Sequence, residues 1–287
     1  MSKDKTKTGV WALIVKLGSK GLSILAKLFK ISKVGLAAAT FAGYSLLFSW
    51  KFALLLMIAV GFHESGHVWA MKKMGIKTKG FYFLPFVGGA AIAEEEYKSY
   101  GQNVFIAMMG PLWGAAMAYV AGGLYFMTGN PLWAAAAAWM ATINLFNLLP
   151  IAPLDGGQVI RSIAFTIHRG LGLVFLLVSM IAGIVIMFKL KIGLFALILI
   201  IGGLELFIEV WKRSLLRKLE AGLIRKSKLP ESMLDAEGNV KKFPAKMNWK
   251  QLTLSAVSYV GTITILVVLL KLTAHIEGAS IAANFLE

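Results

Sequence analysis

Three ionisable residues stand together inside an otherwise apolar run: His63, Glu64 and His67, in GFHESGHVWAMKK. On a helix, residues i and i+4 share one face a turn apart. Two imidazoles so placed can hold one tetrahedral metal ion, with Glu64 beside the open coordination position as a proton acceptor. With 4 His in the chain, composition alone predicts about 0.002 copies of H-E-x-x-H. Buried histidines satisfied by backbone would leave the carboxylate at the same depth unexplained, and ionisable groups at membrane depth mark function.

Catalysis at such a site needs a third protein ligand and an open fourth position. The segment NLFNLLPIAPLDGGQVIR offers Asp155. Pro150 and Pro153 break a helix there, and Gly156 and Gly157 free the backbone around the carboxylate. Irregular backbone at membrane depth survives only when buried in protein or lining a wet cavity.

The elements that must position these groups are membrane helices. The chain has 287 residues, 58% hydrophobic and only 15% charged, with a mean hydropathy of +0.73. Soluble domains are less apolar and more charged, so a cytosolic enzyme, a disordered chain and a disulfide scaffold are excluded. The absence of cysteine removes thiolate metal sites and Cys nucleophiles. The formal charge of +16 favours anionic lipid headgroups as partners and not nucleic acid, because basic residues flank membrane spans. No short apolar core ending in a cleavage site follows MSKDKTKTG, so no removed signal peptide is expected.

Seven apolar stretches approach the length needed to cross a bilayer: 34–50, 52–71, 104–127, 132–150, 171–188, 192–210 and 252–272. The expected fold is therefore an all-α polytopic membrane protein of about seven transmembrane helices. Lys and Arg concentrate in 1–33, 72–98, 155–170 and 211–251, leaving Lys51, Lys189, Lys191 and Lys271 for the other side. The positive-inside rule then puts the N-terminus and the His67 and Asp155 ends of their helices on the cytoplasmic side, where His63 and Asp155 meet at similar depth. Residues 80–100 are apolar but broken by Pro85 and Gly88–Gly89. They read as a short β-like hairpin at the membrane face between the second and third spans. The organisation expected is a basic amphipathic interfacial helix in 1–33, a membrane domain over 34–210 with its catalytic core at about 52–165, a basic cytoplasmic segment at 211–251, and a final span with a short tail at 252–287.

HESGH in one span and N-x-x-P-x-x-P-L-D-G-G after another resemble the site-2 protease family of intramembrane zinc metalloproteases. FLPFVGGAA at 83–91 and MGP at 109–111 also resemble that family, and the likeness covers roughly 50–165. It implies one zinc ion held by His63, His67 and Asp155, Glu64 as general base, and Asn147 holding substrate backbone or the developing oxyanion. Asn144, one turn earlier, reads instead as a helix–helix hydrogen bond. The resemblance further implies a membrane-anchored regulator as substrate, and the compact form of the chain points to a prokaryotic plasma membrane. A transmembrane substrate must unwind to expose a carbonyl, so the hairpin, through Phe83, Val87, Gly88 and Gly89, is expected to capture it by strand addition. Two rival readings are a scaffold that kept the metal site, which would not need Glu64, and an ion transporter, which would need polar residues continuing across the later spans.

Overall fold

A computed structural model describes residues 32–85, 88–190, 195–230, 233–234, 237–241 and 243–276. The expected amphipathic helix before Ser32, and Val87 in the hairpin turn, lie outside the described residues. Helices α1 (Lys33–Leu47) and α2 (Trp50–Lys73) form a hairpin, and each begins at a serine whose hydroxyl accepts a backbone N–H of the first turn. Such caps satisfy donors that have no intrahelical partner. Lys72 and Lys73 close α2, the favourable end for positive charge.

Strands β1 (Thr78–Leu84) and β2 (Gly88–Ala93) pair antiparallel, so the hairpin expected from Pro85 and the glycine pair is present. Next come α3 (Tyr100–Thr128), α4 (Pro131–Asn147), α5 (Asp155–Ile167), α6 (Arg169–Leu190), α7 (Phe195–Glu220) and α8 (Trp249–Thr273). Gly129 ends α3 in the left-handed region, at φ 65°, where a side chain is disfavoured. Asn130 caps α4 and Pro131 occupies its first turn, the helix position where a missing N–H is harmless.

Among the described residues, four helices are long and apolar enough to cross a membrane: α2, α3, α6 over Arg169–Ile186, and α8. Of the other expected spans, α1 has 15 residues and α4 has 17, about 25 Å for α4 at the helical rise. The apolar run of α7 continues into Lys212, Arg213, Arg217 and Lys218. The core lies where α3 packs between α2, α4, α5 and α8. It is built largely from alanines of α3 and α4, among them Ala115, Ala118, Ala137 and Ala141; small residues let membrane helices approach closely. The stretch after α7 returns to the start of α3, where Tyr100 N–H donates to Ala245 O and Ala245 N–H to Lys98 O, each at 2.9 Å. Basic residues of 72–98, 155–170 and 211–251 thereby gather at one end of the helices.

Candidate metal centre

The α2 turn from His63 to His67 carries both imidazoles into the interior, 3% and 6% exposed, with their Nε2 atoms 3.1 Å apart. Asp155 opens α5 from across the bundle. Its Oδ2 lies 3.0 Å from His63 Nε2 and its Oδ1 3.3 Å from His67 Nε2. Two glycines make that approach possible: a Cβ on Gly156 would sit 2.0 Å from Leu148 O, and one on Gly157 2.4 Å from Ile151 O. The DGG triplet therefore lets α5 start directly against the turn that ends α4.

Hydrogen bonds on the far side of each ring fix which nitrogen is free. His67 Nδ1 is 2.7 Å from Ile106 O, a carbonyl that only accepts, so Nδ1 donates. The Asn144 amide nitrogen donates to Met140 O at 2.7 Å, which turns its Oδ1 toward His63 Nδ1 at 2.8 Å, and that nitrogen donates too. Both Nε2 atoms then present lone pairs to the Asp155 carboxylate. Asp155 Oδ2 is buried without a hydrogen-bond donor despite its 3.0 Å contact with His63 Nε2, as expected when that nitrogen carries no hydrogen. Three buried lone-pair donors facing one point repel one another unless a cation sits among them. A tetrahedral metal with nitrogen and oxygen ligands has ligand–ligand edges of about 3.3 Å; the two Nε2 atoms are 3.1 Å apart and each lies 3.0–3.3 Å from one of the two Asp155 oxygens, so the three side chains are close enough to share one ion. Among the described residues this is the one cluster able to hold a metal ion.

The packing around the histidines depends on glycines of α3. A Cβ on Gly110 would lie 2.2 Å from His67 Nε2 and 2.8 Å from His63 Nε2, and one on Gly114 would lie 2.1 Å from Asn144 Oδ1. On α2, a Cβ on Gly66 would meet Met109 O at 2.3 Å. Gly110 sits in the MGP triplet, but its contact with both imidazoles is visible only in three dimensions. Asn144 makes the helix–helix hydrogen bond expected of it, and its partner is the imidazole of His63, which it orients. Such partners behind a ligating histidine typically matter 10–100-fold, as an order of magnitude, for metal affinity.

Glu64, 7% exposed, points to the other side of the pair, toward β2. A Cβ on Gly89 would sit 2.5 Å from Glu64 Cγ, so the strand passes directly over the carboxylate. His63, Glu64, His67, Asp155, Asn147 and β2 line a cavity of about 580 Å³. Gly88 and Gly89 reach this cavity, whereas Phe83 does not line it and packs against Gly61 of α2. Glu94 N–H bonds to Lys77 O, and strand alternation then aims the N–H groups of Gly89, Ala91 and Ala93 away from β1. A second cavity of about 520 Å³ shares Tyr97, Pro153, Gln158 and Arg161 with the first. There Arg161 donates to the Tyr97 hydroxyl at 2.5 Å, and burial pushes the Tyr97 phenol above its usual range. Glu95 and Glu96 pair with Lys77 and Lys212 at the surface, where ion pairs contribute little.

Comparison with known proteins finds similarity to zinc metalloproteases over part of the chain. Residues 51–131 match the sequence profile of Peptidase family M50. Rip3 of Mycobacterium tuberculosis is 29% identical over 157 residues, 50% of this chain and 40% of that protein. The zinc metalloprotease MJ0392 of Methanocaldococcus jannaschii is 30% identical over 119 residues, 38% of this chain and 33% of that one. The chain thus spans less than half the length of these relatives. The site-2 protease structure from Methanocaldococcus jannaschii overlays with a TM-score of 0.42 at 26% identity, covering 58% of this chain and 82% of that one.

Proposed function

We propose that this chain is a member of peptidase family M50, whose sequence profile residues 51–131 match, and that it is an intramembrane zinc metalloprotease acting on a membrane-anchored protein. The observation that carries the reading is the convergence of two Nε2 lone pairs and a carboxylate on one point, with a second carboxylate, that of Glu64, beside it. In the proposed site His63, His67 and Asp155 hold one zinc ion. When bound, zinc polarises the scissile carbonyl and lowers the pKa of water at the site toward 7. Glu64 takes the proton from the attacking water as its oxygen bonds to the carbonyl carbon. It then returns that proton to the amine nitrogen as the C–N bond breaks. Asn147 donates its side-chain amide to the developing oxyanion. The neighbouring 520 Å³ cavity supplies the polar route by which water arrives.

The same reading includes seven spans, with α1, α4 and α7 joining the four longer helices. It sets the N-terminus and the active site toward the cytoplasmic side of a prokaryotic plasma membrane, and it has the basic end of the bundle meeting anionic lipid headgroups. It also takes 1–33 as the interfacial helix and 211–251 as the cytoplasmic segment. The substrate, a single-span or membrane-anchored protein, lays its unwound segment along β2, whose outward N–H groups donate to its carbonyls as to an added strand. Gly88 and Gly89 leave room for it, and Phe83 packs against Gly61 of α2.

Zinc content per chain in detergent-purified protein is the test. About one zinc in the wild type, lost in both His63→Ala and Asp155→Ala, is expected. A wild type without zinc overturns the reading, and zinc retained in Asp155→Ala removes Asp155 from the ligand set. The strand has its own test in Ala93→Pro, which deletes one outward N–H and no ladder bond. We expect a several-fold fall in kcat/KM with zinc unchanged; an unaltered kcat/KM means that substrate does not pair along β2.

A further inference from the structure

We propose that the cavity between the start of α6 and the end of α7 is a binding site for the phosphate headgroup of an anionic phospholipid. It has a volume of about 670 Å³ and lies outside the metal centre. Arg169, Arg213, Arg217 and Lys241 supply its positive charge, among the described residues Glu220 supplies the one negative charge, and Leu173, Leu216 and Phe243 supply apolar wall. Arg213 is committed to the protein. It pairs with Glu209 at 2.5 Å and is held between the rings of Phe165 and Phe243, at 4.5 and 4.2 Å. Arg169, Arg217 and Lys241 are different: all three are exposed, and among the described residues none has an ion pair or a hydrogen bond from its side chain. Three unpaired cations around a concave wall that is already built and braced by Arg213 suit a phosphoryl anion, which arginine grips bidentately.

The neighbouring surface says which phosphoryl compound. Arg169 begins α6, a helix long and apolar enough to cross a membrane. Directly below it that helix exposes Leu171, Val174, Leu177 and Val178, at 49–57%. Across the opening, α7 exposes Phe207, Val210 and Trp211, and tryptophan favours the headgroup level. A ligand with its phosphate among the three cations therefore has hydrocarbon surface continuing from it in the direction of the bilayer. A soluble phosphate has no use for that surface, while a glycerophospholipid does. The charge of a phosphodiester also matches the excess of cations. This inference rests on the membrane part of the function proposed above and is independent of proteolysis and of zinc.

The test titrates the full chain in detergent micelles with short-chain phosphatidylglycerol or phosphatidylcholine and counts bound lipid by native mass spectrometry. One tightly held phosphatidylglycerol per chain is expected, with about 30-fold weaker binding in the double variant Arg169→Gln/Arg217→Gln, from about one unit of lipid attraction per cation removed. Lys226→Gln/Lys228→Gln removes the same charge from an exposed turn and should bind as the wild type does. Equal losses in the two double variants, or equal binding of phosphatidylcholine, overturn the proposal. Displacement of the lipid by millimolar inorganic phosphate would assign the cavity to a soluble anion and overturn it as well. Zinc content measured on the same samples separates a failure here from a failure of the metalloprotease reading.

Discussion

Replacing Glu64 by Gln should leave zinc at one per chain and cut cleavage of a membrane-anchored substrate by about 10²–10⁴-fold, the usual worth of a positioned general base. The amide has the shape of the carboxylate, so the strand above it need not move. It cannot take a proton from water. Glu64 lies to the side of the His63–His67–Asp155 triangle and is not one of its three members, so the metal should stay. Metal content and initial rate are to be measured on one preparation. Full activity in Glu64→Gln would remove the residue from proton transfer, and loss of zinc would make it a ligand instead of a base. The outcome also separates an enzyme from a scaffold, because a scaffold gains nothing from a base at this position.

The parts of the site that the sequence makes legible are those encoded locally. His63, Glu64 and His67 fall within one helical turn or so, and the 3.6-residue period alone puts both imidazoles on one face. Asp155 was recoverable because the prolines and glycines around it announce a break at membrane depth. The hairpin was recoverable for the same reason, through Pro85 and Gly88–Gly89. Contacts between distant segments are not written in any local pattern. Asn144 bonds His63 across 81 positions, and its spacing from Asn147 told only that the two share a helix. Phe83 is expected in the substrate strand together with Gly88 and Gly89, yet of these three the two glycines of β2 line the cavity, and a Cβ on Gly89 would meet Glu64 Cγ at 2.5 Å. Hydropathy gives the number of apolar runs, but helix ends follow caps and breakers. Asn130, Pro131 and the turn after Asn147 limit α4 to 17 residues, and the cationic end of α7 extends a run that hydropathy closes at 210.

Gly110→Ala should empty the metal site although the residue is no ligand. A methyl group there would stand 2.2 Å from His67 Nε2 and 2.8 Å from His63 Nε2, closer than atoms in van der Waals contact approach, and on the face of the rings that must hold the metal. Moving α3 outward would pull Ile106 O from His67 Nδ1, since that carbonyl belongs to the same helix. Turning the imidazoles instead would break the His63–Asn144 bond and scatter the lone pairs. Either response separates the three ligands, so zinc per chain should fall close to zero with cleavage. Gly123→Ala is the matched control: it lies on the same helix, and a Cβ there meets nothing within 4 Å. That variant should keep its zinc and gain about 0.5–1 kcal/mol of helix stability. If Gly110→Ala binds zinc as well as Gly123→Ala does, the ion is not held between His63 and His67 at the point where their Nε2 atoms converge. If it does not, one hydrogen in place of a methyl on α3 is what allows two histidines of α2 to share an ion.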